Sequence, residues 1–281
     1  KESYQNEKES HIEVPIPKTW IQEHSSKNGS YSVQIQVVDA AGNISKEHCS
    51  FQADVTDPSV SVSGIDEGAF TNAMPMIKIE NLDDYAQEGS IHIEIKKDNV
   101  IMDAYERKGS SVNITIKHDG IYCISAYAVD AAGNRSKTQT RTFTKDTGKP
   151  LLSKIRIEGH RKEGYSWYDD SVMIQTNASD SLSKLSNITL FVNGKKLSSE
   201  HLKGEAEKIL NVRLSKKWFL ENESESGSYK ITIVAEDRAG NRSETIRTFH
   251  ADVLAPSVSL SGVENRSYLK TAPEIQAVAT D

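Results

Sequence analysis

Apolar and polar residues alternate with a period of two along much of this chain. Tyr31, Val33, Ile35 and Val37 alternate with Ser32, Gln34 and Gln36; Tyr229, Ile231, Ile233 and Ala235 alternate with Lys230, Thr232 and Glu236. That period puts one apolar face on an extended segment, so each run predicts a half-buried strand. The runs lead into the same turn, Asp-Ala-Ala-Gly-Asn at Asp39–Asn43 and Asp130–Asn134, and Asp-Arg-Ala-Gly-Asn at Asp237–Asn241. Glycine takes positive φ at little cost, the asparagine after it tolerates it, and the leading aspartate caps backbone N–H groups. The turn therefore predicts a hairpin into a second strand ending at Phe51, Phe143 or Phe249.

A short polar stretch with a proline comes next in each copy, at Pro58, Pro150 and Pro256. Proline lacks a ladder donor and suits a strand start or junction. Short strands ending at Gly64, Gly159 and Gly262 follow, then strands within residues 74–81, 170–180 and 272–281. Further strands are expected within 90–99, 110–120, 187–197 and 207–218, with Asn193-Gly194 marking a tight hairpin. Only a helical turn near Lys216–Leu220 interrupts them. Tyr122 stands 91 residues after Tyr31, and Tyr229 stands 107 after Tyr122; the phenylalanines and prolines keep step at 92 and 106. A period near one hundred means tandem domains, since solenoid repeats run at roughly 20–50. About seven short strands per unit predict an all-β fold of tandem immunoglobulin-like β-sandwiches.

The units read as residues 1–57, the C-terminal part of one; 58–147, a complete domain; 148–254, a complete domain with longer loops; and 255–281, the N-terminal part of a further one. The partial units are expected to be frayed, sticky or rearranged, because their sheet edges lack partners. Ser198–Leu210 reads as a loop insertion in the third unit. Trp20 and Trp218 each stand eleven positions before the repeat tyrosine, which likens the first unit to the third.

Net charge is −6 with both signs interspersed, and no basic face or stripe marks a nucleic-acid binder. No apolar run approaches the ~20 residues a spanning helix needs. The chain opens at Lys1, which reads as a fragment of a longer protein. Two cysteines are too few for a disulfide framework. Cys49, in phase with Phe51, is expected to face the core; Cys123, out of phase with Tyr122, is expected to face away, and no disulfide is expected between them.

The repeated pattern of Gly-x-Tyr, the Asp-x-Ala-Gly-Asn turn, the closing Phe and the junction Pro, followed by Val-Ser-Gly, resembles bacterial Ig-like domains. The resemblance covers nearly the whole chain. It implies tandem modules of large exported surface proteins, especially of Gram-positive bacteria, acting as stalks, adhesin segments or spacers beside carbohydrate-active enzymes. The expected role is a non-catalytic stalk or spacer, extracellular, secreted or cell-wall associated, with no cofactor and no membrane insertion in this segment. Its partners would be neighbouring Ig-like units of the same chain, and a host glycan or protein if the segment is an adhesin.

No residue pattern argues for catalysis. There is no Gly-x-Ser-x-Gly elbow, and the eight histidines never fall at zinc spacing. Two candidate sites remain. Calcium takes six to eight oxygens, and junction carboxylates could converge on it; Asp57, Asp146 and Asp252 are the candidates, with Asp54 and the turn residues Asp39, Asp130 and Asp237 nearby. The plainer reading has these carboxylates capping turns, and no EF-hand loop is present. Tyr165, Trp167 and Tyr168 offer aromatic rings for a sugar or protein ligand. Against that, residues 68–74 and 265–273 carry one aromatic each at the corresponding place, which favours a structural plug.

Overall fold

A computed structural model describes residues 11, 13–24, 29–83, 88–161, 163–164, 166–224 and 226–281. The chain forms two compact units, Lys1–Ala69 with Met74–Phe143, and Phe70–Ala73 with Thr144–Asp281.

The first unit opens with helix α1 (Lys18–Glu23) and the hairpin β1 (Ser30–Val38) and β2 (Ile44–Gln52). The hairpin register sets Tyr31 opposite Phe51 and Val38 opposite Ile44. Then come β3 (Ser59–Ser63), β4 (Ala69–Thr71), β5 (Met76–Leu82), β6 (Ser90–Lys97), β7 (Val100–Lys108), β8 (Ser111–Thr115), β9 (Gly120–Val129) and β10 (Gln139–Lys145). They form a sheet ordered β3-β5-β8 and another ordered β4-β10-β9-β6-β7. Consecutive strands β5 and β6 lie in different sheets, as do β8 and β9, which is how a sandwich closes over one core. Ile77 and Ile79 of β5 meet Ile91 and Ile93 of β6 and Ile124 and Ala126 of β9 in that core.

The second unit holds β11 (Leu151–Leu152), β12 (Arg156–Gly159), β13 (Val172–Ser179), β14 (Leu185–Val192), β15 (Lys195–Glu205), β16 (Glu207–Leu214), helix α2 (Lys216–Glu221), β17 (Ser228–Asp237) and β18 (Arg242–His250), then the hairpin β19 (Ser257–Ser261) and β20 (Gln276–Thr280). Strand β13 pairs with β16 and with both β11 and β12, and the facing sheet runs β15-β14-β17-β18. Ile174, Leu185, Leu190, Ile231 and Ile233 are wholly buried between them. The Asn193-Gly194 turn has φ of +48° and +80°, the left-handed pair that a two-residue hairpin requires.

Each repeat is closed by the same corner. Tyr122 donates its hydroxyl to the carbonyl of His118 at 2.9 Å, Tyr229 to Asn222 at 3.3 Å and Tyr31 to Ile21 at 3.3 Å. The rings lie against Phe143, Phe249 and Phe51 with centroids 5.4, 5.6 and 5.5 Å apart. A tyrosine that bonds back to upstream backbone is a recognised device of this sandwich class. Trp20 on α1 and Trp218 on α2 stand 6.0 and 5.9 Å from their tyrosines, so the shared eleven-residue spacing reflects a shared helical lead-in. Helix α2 is capped by Ser215, whose hydroxyl accepts the amide of Trp218 at 3.2 Å. Helix α1 begins after Pro17, with no side-chain cap.

Several expectations are corrected. Ser198–Leu210 is no loop: it makes most of β15 and the start of β16. Strand β7 was not anticipated; its hairpin turn, Asp98-Asn99, has φ of +50° and +65°, the same left-handed pair reached without glycine. Cys49 is exposed, because among the described residues β1 and β2 pair only with each other and no second sheet covers the face it shares with Phe51. Cys49 and Cys123 are both free thiols. The flanking hairpins β1–β2 and β19–β20 are fully paired but expose Ile35, Val37, Val258 and Leu260.

Candidate metal centres

The repeat turn is a small cage of hydrogen bonds. In all three copies the aspartate carboxylate accepts both the backbone amide and the side-chain amide of the asparagine four residues on, at 2.7–2.8 Å. The glycine between them has a φ of +90° in each. The asparagine also reaches back: Asn134 donates to the carbonyl of Asp54 at 3.1 Å, and Asn241 to that of Asp146 at 2.9 Å. The turn is thereby tied to the junction segment that precedes its own sandwich.

That tie assembles carboxylates. Oxygens of Asp54, Asp83 and Asp130 lie within 4.8 Å of one another in the first unit, and those of Asp146, Asp180 and Asp237 do so in the second. The clusters occupy the same places in the repeat. Asp54 and Asp146 lie at the junction, each accepting the amide two residues ahead, from Thr56 at 2.9 Å and from Gly148 at 2.8 Å. Asp83 and Asp180 directly follow the ends of β5 and β13, and Asp130 and Asp237 begin the turn. Asp146 also accepts the amide of Ser183 at 2.9 Å, and Asp180 that of Lys184 at 2.7 Å.

In the second unit the three aspartates are only 3%, 8% and 1% exposed. They accept hydrogen bonds from backbone amides, the Ser183 hydroxyl and the Asn241 amide. Two like charges at this separation repel by about 3–4 kcal/mol at an effective dielectric of ~20. Burial, with the Asp180 and Asp146 charges adding to it, pushes the Asp237 carboxyl above its ordinary value despite its bonds to Asn241. Asp39 makes the same bonds in the open, and the Asn43 donors hold it below that value.

The all-oxygen donor set suits a hard cation rather than zinc or copper. Of the sequence candidates, Asp146 stands in a cluster. Asp57 and Asp252 belong to neither, though Asp252 makes the junction turn, accepting the amide of Leu254 at 3.0 Å. Asp83 and Asp180 were missed. The signal was present, since an aspartate directly follows the second strand of each repeat, at 83, 180 and 281.

Among the aromatic candidates, Tyr165 lies outside the described residues. Tyr168 is a core residue, 4% exposed, donating its hydroxyl to the carbonyl of Ile157 at 3.0 Å and meeting Phe249 edge-on at 5.7 Å. Trp167 is 41% exposed and tilts against His250 at 5.0 Å. It packs so closely on Gly227 that a Cβ there would lie 2.3 Å from the indole. Trp167 lines a cavity of about 320 Å³ with Leu220 and Leu254.

The protein is an all-β immunoglobulin-like sandwich protein. Residues 49–147 match the family model described as "Bacterial Ig-like domain". A search of curated proteins finds no match. Among solved structures, the fibronectin(III)-like modules of Clostridium thermocellum CbhA are similar at 17% identity over 69% of this chain and 93% of that one, with a TM-score of 0.32. A bacterial ice-binding adhesin is similar at 13% identity over 81% and 76%, TM-score 0.34. A tetra-tandem repeat from the extending region of a large adhesion protein is similar at 17% identity over 83% and 59%, TM-score 0.34. Among the described residues no helix is long and apolar enough to cross a membrane.

Proposed function

We propose that this chain is a non-catalytic stalk or spacer segment of a bacterial cell-surface or secreted multidomain protein. The supporting observation is the self-sufficiency of the repeat. Each sandwich buries its own core, and each is closed by the same tyrosine corner and the same Asp-Gly-Asn turn. A chain of such units lengthens by duplication while stability stays local to each one, which suits a part whose task is reach. Replacing the segment in its parent protein by an unrelated Ig-like array of equal length is expected to preserve surface display and activity, while deleting it impairs them. Loss of activity with the equal-length replacement would overturn the reading.

The alternative of an adhesin segment rests on Trp167, whose indole is half exposed beside a cavity. A third reading, an accessory module of a secreted carbohydrate-active enzyme, predicts a catalytic domain in the same polypeptide.

A further inference from the structure

Strand β7 is the open edge of the five-stranded sheet in the first unit. Among the described residues it pairs only with β6, which leaves the outer row of its backbone groups as a template for a further strand. Natural edges are commonly blunted, and β15, the corresponding edge of the second unit, shows how. Its register with β14 is broken by two shifts, and its leucines, Leu197 and Leu202, pack on their own core. Strand β7 is built differently. Its register with β6 shifts once, between Ile95 and Lys96, and the run Asp103–Lys108 is unbroken. Val100, Ile101 and Met102 at its start are 62%, 55% and 62% exposed.

The unbroken run selects its partner. Asp103, Tyr105 and Arg107 stand opposite Ile95, Ile93 and Ile91, the buried row of β6, so they project on the sheet's inner side. The facing sheet has three strands against five, and Asp103 and Arg107 are exposed there. Tyr105 is half-buried, with the Arg107 guanidinium 5.0 Å from its ring. Inward charges on an edge discourage pairing with arbitrary strands. They leave one strand that fits, β7 of a second copy. An antiparallel pair about a two-fold axis must keep inward residues opposite inward ones, so the axis passes through a residue. An axis at Asp103, Glu106, Arg107 or Lys108 sets a charge against its own copy, which is destabilising. An axis at Ala104 sets Asp103 against Tyr105 and Arg107 against Ile101. An axis at Tyr105 sets Asp103 against Arg107 on both sides of it, and Ala104 against Glu106.

We propose that the first unit pairs edge to edge with a second copy of this chain, β7 antiparallel to β7 about Tyr105, with an Asp103–Arg107 ion pair on each side of the axis. The five-stranded sheet of one copy thereby continues into that of the other. Backbone hydrogen bonds supply the attraction, and the charges fix the register and the partner. One strand from each copy buries less than the ~1,200 Å² at which standard interfaces begin, so the dimer is weak and concentration-dependent. The inference rests on the β7 edge and not on the stalk reading.

Sedimentation equilibrium of the full chain over about 1 µM to 1 mM, the span of weak affinities, is the test. A reversible monomer–dimer equilibrium that weakens as salt rises is expected. Asp103→Arg and Arg107→Asp each set like charges face to face, and each should raise the dissociation constant at least about tenfold. Mixed in equal amounts, the two variants should associate with each other about as tightly as wild type, because each then meets the opposite charge on its partner. The doubly exchanged chain, Asp103→Arg with Arg107→Asp, should dimerise like wild type. Circular dichroism and thermal melting check that each variant is folded. A wild type that stays monomeric across the range overturns the proposal. So does association that survives both reversals, or that the mixture fails to restore, since the contact would then lie on another surface such as the exposed faces of the flanking hairpins. Should a single reversal unfold the unit, the wild-type salt response and the doubly exchanged chain decide: a dimer that salt strengthens, or a folded double exchange that stays monomeric, overturns the proposal.

Discussion

The turns at Asp39 and Asp237 are the same object in two settings. Both carry the same hydrogen bonds to the asparagine and the same glycine φ of +90°. Yet Asp39 is exposed and held below its ordinary pKa, while Asp237 is 1% exposed and pushed above it. The strands that feed the turns differ in the same way. Ile233 of β17 is fully buried, whereas Ile35, at the corresponding position of β1, is 56% exposed. Local sequence makes the hairpin; a facing sheet and two further aspartates decide what the hairpin's residues experience.

The comparison breaks most visibly at the core. Ile233→Ala removes a buried side chain and is expected to destabilise the second unit by about 2–5 kcal/mol. Ile35→Ala should cost under about 0.5 kcal/mol, as for a surface position. Urea unfolding of both variants checks this, and similar losses would mean that β1–β2 has a cover in solution.

The tyrosine corner offers a smaller and more even effect. Tyr229→Phe removes a hydroxyl that donates to the carbonyl of Asn222 and accepts the amide of Ser224, each at 3.3 Å. A loss of about 1 kcal/mol is expected. Tyr122→Phe should cost at least as much, because its 2.9 Å bond to His118 is the shorter one. Thermal melts of the two variants rank them.

The smallest effect separates the two aspartates by pH. A carboxyl raised in the folded state favours folding below its unfolded value near 3.8, and that contribution is lost as pH rises through the raised value. In chelator, the melting temperature of wild type relative to Asp237→Asn should therefore fall as pH climbs from about 4 towards neutrality. Asp39 carries the opposite sign, its contribution being lost only as pH drops below that region. A wild-type-minus-variant difference that stays flat with pH would show that Asp237 is not crowded in solution.

Much of the fold was legible because it is written in local chemistry. The period-two runs, the repeated turn, the Asn-Gly hairpin and the Ser215-capped helical turn all depend on residues close in sequence. What was misread depended on distant partners. Ser198–Leu210 looked like a loop because polar residues crowd it, and it becomes a strand chiefly by pairing along β14. Cys49 sits in the right phase for a core that no second sheet among the described residues provides. The candidate site follows the same rule. Asp146 and the turn aspartates stood out by repetition, but Asp83 and Asp180 acquire meaning only where the end of a strand folds back beside a turn 47 or 57 residues later.

Sequence alone determined that this protein is a series of hairpin-rich sandwich repeats, since alternation and turn chemistry act over a few residues and need no partner. Only tertiary structure decided which of many aspartates share one pole. Burial and like-charge proximity are properties of a packed arrangement, and they turn a capping residue such as Asp237 into part of a crowded anionic cluster.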